Sequence, residues 1–131
     1  MKRQAMVAGT TLESMQLYEL LRSLEFLRSL PEVDSSRIII AGKGETGVNG
    51  LYAALLDGKV ERIILGTPPP SHRQGPTYLG ILRYTDIPEV VALMAERVRL
   101  YGEIPPVLGP YLAKAKLPTK LLNASLADCL R

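Results

Sequence analysis

The segment most suited to ligand binding or catalysis is a glycine-rich run between an apolar stretch and a helix-forming stretch, Gly42-Lys43-Gly44-Glu45-Thr46-Gly47. Its glycines match the dinucleotide fingerprint G-x-G-x-x-G, in which backbone amides and a helix N-terminus hold a pyrophosphate. Two features weigh against a nucleotide. Glu45 would put a negative charge where the phosphates lie. The next apolar stretch ends in Leu65-Gly66-Thr67, without the acidic residue that binds the ribose.

Two other interpretations of the run are open. It could be a sharp strand-to-helix turn that exposes a nucleophile, with the pattern G-x-S-x-G. Aligned on Gly47, that pattern puts Glu45 at the serine and Lys43 at the first glycine. A carboxylate does not replace an alkoxide in ordinary acyl transfer without a different mechanism. Alternatively, the glycines only permit a tight turn and close packing of a helix on a strand, with Glu45 favourably placed at the helix N-terminus. The residues favour this structural interpretation.

Strands and helices alternate along the chain on both sides of this run. Apolar residues recur every three positions over Thr11–Leu30, which predicts a long amphipathic helix ended by Pro31. Thr10 and Glu13 have the spacing of a capping box at its start.

A long loop, Thr67–Thr85, contains three consecutive prolines. The other predicted elements are the strands Arg37–Ala41, Val60–Leu65, Val98–Tyr101 and Thr119–Asn123, and the helices Gly47–Asp57, Asp86–Ala95 and Val107–Lys116. This alternation predicts βαβ units and a parallel sheet.

The local sequence of several of these elements resembles the C-terminal half of a bacterial α/β-hydrolase, closest to the acetyl xylan esterase and dienelactone hydrolase-like esterases. The resemblance implies an α/β fold, namely a three-layer αβα arrangement with about four mostly parallel strands, the last four of the family's sheet. Residues 1–131 would form one such partial α/β-hydrolase domain. The segments that carry the resemblance are Pro31–Ile38, the glycine-rich turn, Leu51–Asp57, Asp86–Val90 and Ala92–Ala95.

The resemblance also implies a serine–histidine–acid triad, whose members are missing from their expected positions. Glu45 stands where the family has the serine, and Glu103 is the nearest match to the acid. The base is expected after the last strand, where Asn123-Ala124-Ser125-Leu126 contains no histidine. The only histidine of the chain, His72, lies in the long loop, where we expect a solvated side chain. The degenerate catalytic candidates are therefore Glu45, Glu103 and His72.

Two functions follow from the resemblance. The first is an α/β-hydrolase-like protein that is catalytically inactive on its own and has a structural or interaction role. The alternative is a carboxylic ester hydrolase of small esters, completed by another chain or by an N-terminal half that supplies part of the oxyanion hole. The sequence leaves open whether the chain is an enzyme. We expect no cofactor and no metal site.

Composition excludes several other classes. The chain is 47% hydrophobic and 22% charged with a net charge of +3, which is typical of a globular domain. Lys and Arg do not cluster with stacking aromatic residues, so no nucleic-acid partner is predicted.

No apolar run approaches the roughly 20 residues that span a bilayer. No apolar region follows Lys2 and Arg3, so we expect no signal peptide, and the cytoplasm is the default location. A single cysteine, Cys129, excludes an internal disulfide.

The resemblance has a consequence for assembly. Arg37–Ala41 would be a central strand, buried on both faces, whose outer neighbour comes from the N-terminal half of the family's fold. Without that half, Ile38-Ile39-Ile40 would lie at a sheet edge with unpaired backbone groups. We therefore predict a two-fold homodimer in which two copies of Arg37–Ala41 pair in antiparallel orientation.

Overall fold

The computed structural model describes residues 2–116 and residue 129. Helices and strands alternate from the second helix onward, as the sequence predicts. Two short 3₁₀ turns, Ile81–Arg83 and Pro106–Leu108, lie in the connections. The helices and strands are α1 (Lys2–Val7), α2 (Leu12–Ser29), β1 (Ile39–Lys43), α3 (Gly44–Asp57), β2 (Arg62–Gly66), α4 (Ile87–Leu93), β3 (Val98–Tyr101) and α5 (Gly109–Lys114).

The three strands form one parallel sheet in the order β1-β2-β3. Ile40 of β1 lies opposite Ile63 of β2, which in turn lies opposite Val98 of β3. Two successive crossovers in the same direction put α3 and α4 on the same face of the sheet, because such crossovers are right-handed. The contact between α3 and α4 agrees with this. A mixed α/β fold with a parallel sheet is thus confirmed, whereas the predicted strand Thr119–Asn123 lies outside the described residues.

Helix α3 is the centre of the core. Eight consecutive residues, Gly47–Ala54, are buried, because α3 packs on β1 and β2 and also contacts α2. Apart from Asn49, these residues are apolar, aromatic or glycine, as is typical of a helix covered on every side. Gly50 illustrates why, since a Cβ there would lie 2.9 Å from the Cγ2 atom of Ile40. Small residues therefore let this helix lie close against the sheet.

Strand β1 corrects one prediction from the sequence. It begins and ends two residues later than predicted, and it is not buried on both faces: Ile39 is 37% exposed, and Ala41 and Lys43 are also exposed. The reason is that within the described residues β1 pairs only with β2, and α3 covers only one of its faces. Ile38, just before the strand, is buried, and its carbonyl accepts a hydrogen bond from the Glu61 amide.

Helix α2 begins one residue later than predicted and is capped differently. Thr11 is the N-cap, and its hydroxyl oxygen accepts a hydrogen bond from the Ser14 amide, so the predicted box of Thr10 and Glu13 is wrong. Near the other end, Arg28 forms a bidentate ion pair with Asp57, which joins α2 to the end of α3. Among the described residues, no helix has the length and apolar character that crossing a membrane would require.

Candidate functional site

The glycine-rich run forms a turn of minimal length. Strand β1 ends at Lys43 and α3 begins at Gly44, with no residue between them. Gly44 has a φ of +58°, which favours glycine. Gly42 and Gly47 approach each other so closely that a Cβ on Gly42 would lie 2.7 Å from the Gly47 Cα, and one on Gly47 would lie 2.7 Å from the Gly42 carbonyl oxygen. The geometry therefore supports the structural interpretation of these three glycines.

The same turn can be compared with a nucleophile elbow. In an elbow, the strained residue between strand and helix carries the nucleophile. The positive φ falls here on Gly44, one residue before Glu45. Glu45 is instead the second residue of α3 and is exposed. The turn thus has no side chain at the position where an elbow presents its nucleophile.

The structure does not join the three candidate residues into one site. Glu103 follows β3 by two residues, and the carboxyl ends of parallel strands lie at one edge of the sheet, so Glu103 and Glu45 share that edge. Both are exposed. Within the described part of the chain, no hydrogen bond or ion pair connects Glu45, Glu103 and His72 to one another.

His72 corrects a further prediction, because its side chain is buried rather than solvated, at 7% exposure. Its Nδ1 atom lies 2.8 Å from the Pro76 carbonyl oxygen. A carbonyl only accepts, so Nδ1 carries a proton and donates. Nε2 lies 2.8 Å from the Tyr52 hydroxyl, which donates to it when the ring is neutral. Both ring nitrogens are therefore occupied by internal partners, and the imidazole is held rather than free.

Three rings form a buried cluster around this histidine. The ring centroids of Tyr52, His72 and Tyr78 are 5.2 to 5.5 Å apart, in tilted and edge-on arrangements. The Tyr78 hydroxyl donates to Asn49, and the Asn49 side-chain amide donates to Gln16 of α2 over 3.1 Å. The cluster thus ties the loop after β2 to both α2 and α3.

Both tyrosines of the cluster are held in their protonated form. Burial raises the pKa of Tyr52 to about 12, and the negative charges of Asp86 and Glu89 add to the effect. Burial also raises the pKa of Tyr78, with Tyr52 and Glu13 as further contributors. Neither phenol is therefore a ready base at neutral pH.

Asp86 anchors the end of the same loop. It is the N-cap of α4 and forms a capping box with Glu89. Its carboxylate also accepts hydrogen bonds from the His72 amide over 2.8 Å and the Ser71 hydroxyl over 2.5 Å. Burial alone would raise the pKa of Asp86, but the hydrogen bonds from Ser71, His72 and Ile87 outweigh it and hold the pKa below its ordinary value. The spacing of Asp86 and Glu89 in the sequence is that of a capping box, but no local pattern indicates the bonds of Asp86 to the loop.

Two surface pockets flank the 3₁₀ turn Ile81–Arg83. One has a volume of about 320 Å³ and borders His72 and Tyr78. The other, of about 490 Å³, is lined by charged residues that include Arg73, Asp86 and Glu89. Among residues 2–116 and 129, no group of His, Cys, Asp or Glu side chains is arranged to hold a metal ion. The loop therefore brings the buried cluster next to two concave surfaces that polar side chains line.

Comparison of the chain with protein-family models, with curated proteins and with solved structures finds no match. Any functional assignment therefore rests on the residues and the geometry described above.

Proposed function

We propose that this chain is an α/β-hydrolase-like scaffold with a structural or interaction role and without hydrolytic activity of its own. The observation that carries the proposal is the turn between β1 and α3. It has the strand-to-helix geometry of an elbow, but its left-handed residue is Gly44, which has no nucleophilic side chain.

The arrangement around the turn supports the scaffold part of this proposal. Three parallel strands follow one another in sequence order, and the helix directly after the turn is buried along Gly47–Ala54. The resemblance to the C-terminal half of an α/β-hydrolase implies the same order of strands and helices. Fold alone does not define an activity, so the chemistry must be argued from the site.

The candidate catalytic residues support the inactive part. Ester hydrolysis by a triad requires a base that is within reach of the nucleophile and free to take its proton. The nitrogens of His72 are bound to Tyr52 and Pro76, and the exposed Glu45 and Glu103 have no histidine partner within the described residues. We therefore expect no general base at the elbow.

The direct test is release of p-nitrophenol from its acetate ester. We expect the protein to release p-nitrophenol no faster than a surface-matched inert protein at the same concentration. Two variants, Glu45→Gln and His72→Ala, identify the source of any activity. Turnover that either substitution abolishes would contradict the proposal, because it would show that a candidate residue is catalytic.

An esterase completed by another chain is the second candidate, and the open edge of β1 favours it. Within the described residues this edge has no strand partner, and Ile39 and Ala41 are exposed beside it. Unpaired edges invite strand addition from another chain. An isolated, monomeric preparation would then be inactive, and turnover would appear only in the assembled species.

We further propose that two copies of the chain associate through the β1 edge, with the two strands antiparallel around a two-fold axis. Apolar exposure on α2 adds to the surface that association could cover, since Met15, Tyr18 and Phe26 are exposed. The observed strand includes the exposed Lys43. If the two copies pair symmetrically about Ala41, Lys43 of one copy lies opposite Ile39 of the other, so the two lysines do not face each other.

Sedimentation equilibrium at micromolar concentration tests this association. We expect a dimer, which Ile39→Lys weakens by about 2 kcal/mol because it buries an unpaired charge at the seam. Leu93→Lys is the matched control, since Leu93 is 72% exposed on α4, away from β1, and should leave association unchanged. A monomer of 14.4 kDa at all concentrations would contradict the proposal.

A further inference from the structure

The pocket next to the aromatic cluster has the features of a small-molecule site. Its volume of about 320 Å³ lies within the usual range for such sites, about 300 to 1,000 Å³. Most of its wall is apolar or aromatic, and its few polar side chains are those of His72, Thr77 and Arg83, with the Tyr78 hydroxyl. The lining residues that matter are His72, Thr77, Tyr78, Ile81, Leu82 and Arg83.

The wall of this pocket is fixed before any ligand arrives. His72 is held at both ring nitrogens, and Tyr78 is held through its hydroxyl by Asn49. The backbone of the loop is also fixed, because the His72 amide donates a hydrogen bond to the Asp86 carboxylate. Long loops without regular structure in compact domains are usually functional or disordered, and internal hydrogen bonds distinguish this one from a disordered segment. A pre-formed wall reduces the ordering that a ligand must impose.

Arg83 is the only charged residue among those lining the pocket. It is exposed and forms no ion pair within the described residues. Thr77 adds a hydroxyl that has no hydrogen-bond partner in the same part of the chain. A guanidinium and a hydroxyl beside an apolar wall suit a ligand with one carboxylate and an apolar body, because a guanidinium can bind both carboxylate oxygens.

The neighbouring pocket, of about 490 Å³, is a poorer place for an anion although Arg73 and Arg83 both line it. It also contains the carboxylates of Asp86 and Glu89, which repel a negative ligand. Arg83 borders both pockets. The charge balance therefore directs a carboxylate to the smaller pocket.

We propose that the pocket formed by His72, Tyr78, Ile81, Leu82 and Arg83 binds a small organic monocarboxylate. Its carboxylate pairs with Arg83, and its apolar body lies against Ile81, Leu82 and the Tyr78 ring. This inference does not depend on the hydrolase resemblance, because it uses only the loop after β2.

The single histidine makes the test direct. His72 is the only histidine of the chain, so the two carbon-bound protons of its ring give a unique pair of ¹H–¹³C signals that need no assignment. Sodium benzoate is the probe, and benzyl alcohol is its uncharged counterpart, both at fixed pH and ionic strength. We expect benzoate to shift the His72 signals saturably with a dissociation constant of about 1 mM, and benzyl alcohol to bind about tenfold more weakly or worse.

Two arginine variants separate a specific carboxylate site from general attraction to a basic loop. Arg83→Gln should weaken benzoate at least about tenfold, whereas Arg73→Gln, which removes the same charge from the adjacent pocket, should change it less than about twofold. Both residues are exposed, so both variants should keep the unfolding midpoint of the parent, which is measured alongside. The proposal is wrong if benzoate gives no saturable shift up to about 20 mM, if both variants lose affinity equally, or if benzyl alcohol binds as well as benzoate.

Discussion

The turn between β1 and α3 and the loop between β2 and α4 differ in what their sequences suggest and in what they contain. The turn matches the dinucleotide fingerprint and lies where a nucleophile elbow would lie, yet its left-handed residue is Gly44, and its one acidic side chain, Glu45, is exposed. The loop matches no motif, yet it contributes the buried His72 to a hydrogen-bonded cluster with Tyr52. In the turn, backbone geometry determines which residues fit. In the loop, side-chain hydrogen bonds to distant elements determine the structure.

This difference teaches how each region should respond to substitution. In the turn, a side chain added at Gly42 or Gly47 should lower stability, because the two backbones are in contact there. Loss of the exposed Glu45 charge should change stability little. A loop held by buried hydrogen bonds tolerates little change in polar groups, because an unpaired buried donor or acceptor is unfavourable. Both responses can be measured on one scale, the free energy of unfolding.

The largest effect is expected in the turn, for Gly47→Val. A Cβ on Gly47 would lie 2.7 Å from both the Gly42 carbonyl oxygen and the Leu65 Cδ1 atom, so β1 and α3 would have to separate. We expect the free energy of unfolding to fall by about 3 kcal/mol, measured by urea unfolding. Gly109→Ala is the control, since a Cβ there meets nothing within 4 Å, and it should stay within about 0.5 kcal/mol of the parent. Equal losses in both variants would mean that the turn is not closely packed.

The fold was predictable to the extent that local pattern determines it. Apolar spacing located α2, and the apolar run Val98–Tyr101 located β3 at the bounds observed. The predicted C-terminal end of β1 was wrong because glycine usually marks a loop, whereas Gly42 lies within the strand here and packs against Gly47. That contact joins a strand to a helix across the turn, and the glycine pattern alone does not distinguish it from an open loop.

The second effect is expected in the loop cluster, for Tyr52→Phe. Removal of the hydroxyl leaves the buried Nε2 atom of His72 without its partner, and we expect a loss of about 2 kcal/mol at neutral pH. Tyr84→Phe is the matched control because Tyr84 is 87% exposed, and it should change stability by less than about 0.5 kcal/mol. Similar values for the two variants would contradict the cluster as a source of stability.

The pH dependence of Tyr52→Phe gives an independent check. The pKa of Tyr52 is raised from 10.0 to about 12 in the folded protein. Between these two values the unfolded chain releases a proton that the folded chain keeps, so the stability from this group is lost as the pH rises. The parent should therefore lose stability more steeply than Tyr52→Phe above about pH 10.

The buried cluster was not predictable from the sequence for a physical reason. His72 meets Tyr52 across 20 positions and the Asp86 carboxylate across 14 positions, and no periodic pattern links residues at such separations. A lone histidine in a proline-rich loop therefore suggested a solvated side chain. The one local indication was the capping box of Asp86 and Glu89, which shows where α4 begins but not what else the carboxylate binds.

The smallest effect, and the most direct comparison of the two regions, comes from removing one carboxylate charge in each. Asp86→Asn weakens the acceptor of the Ser71, His72 and Ile87 hydrogen bonds, and we expect a loss of about 1 kcal/mol at neutral pH. The pKa of Asp86 lies below its ordinary value of 3.8 in the folded protein, so its contribution is present above that value and is lost as the pH falls through the folded pKa. The difference between parent and variant should therefore shrink in acid. Glu45→Gln, exposed in the turn, should stay within about 0.5 kcal/mol of the parent across the same urea titrations. If Glu45→Gln proved the more destabilising of the two, the assignment of the polar stabilisation to the loop would be wrong.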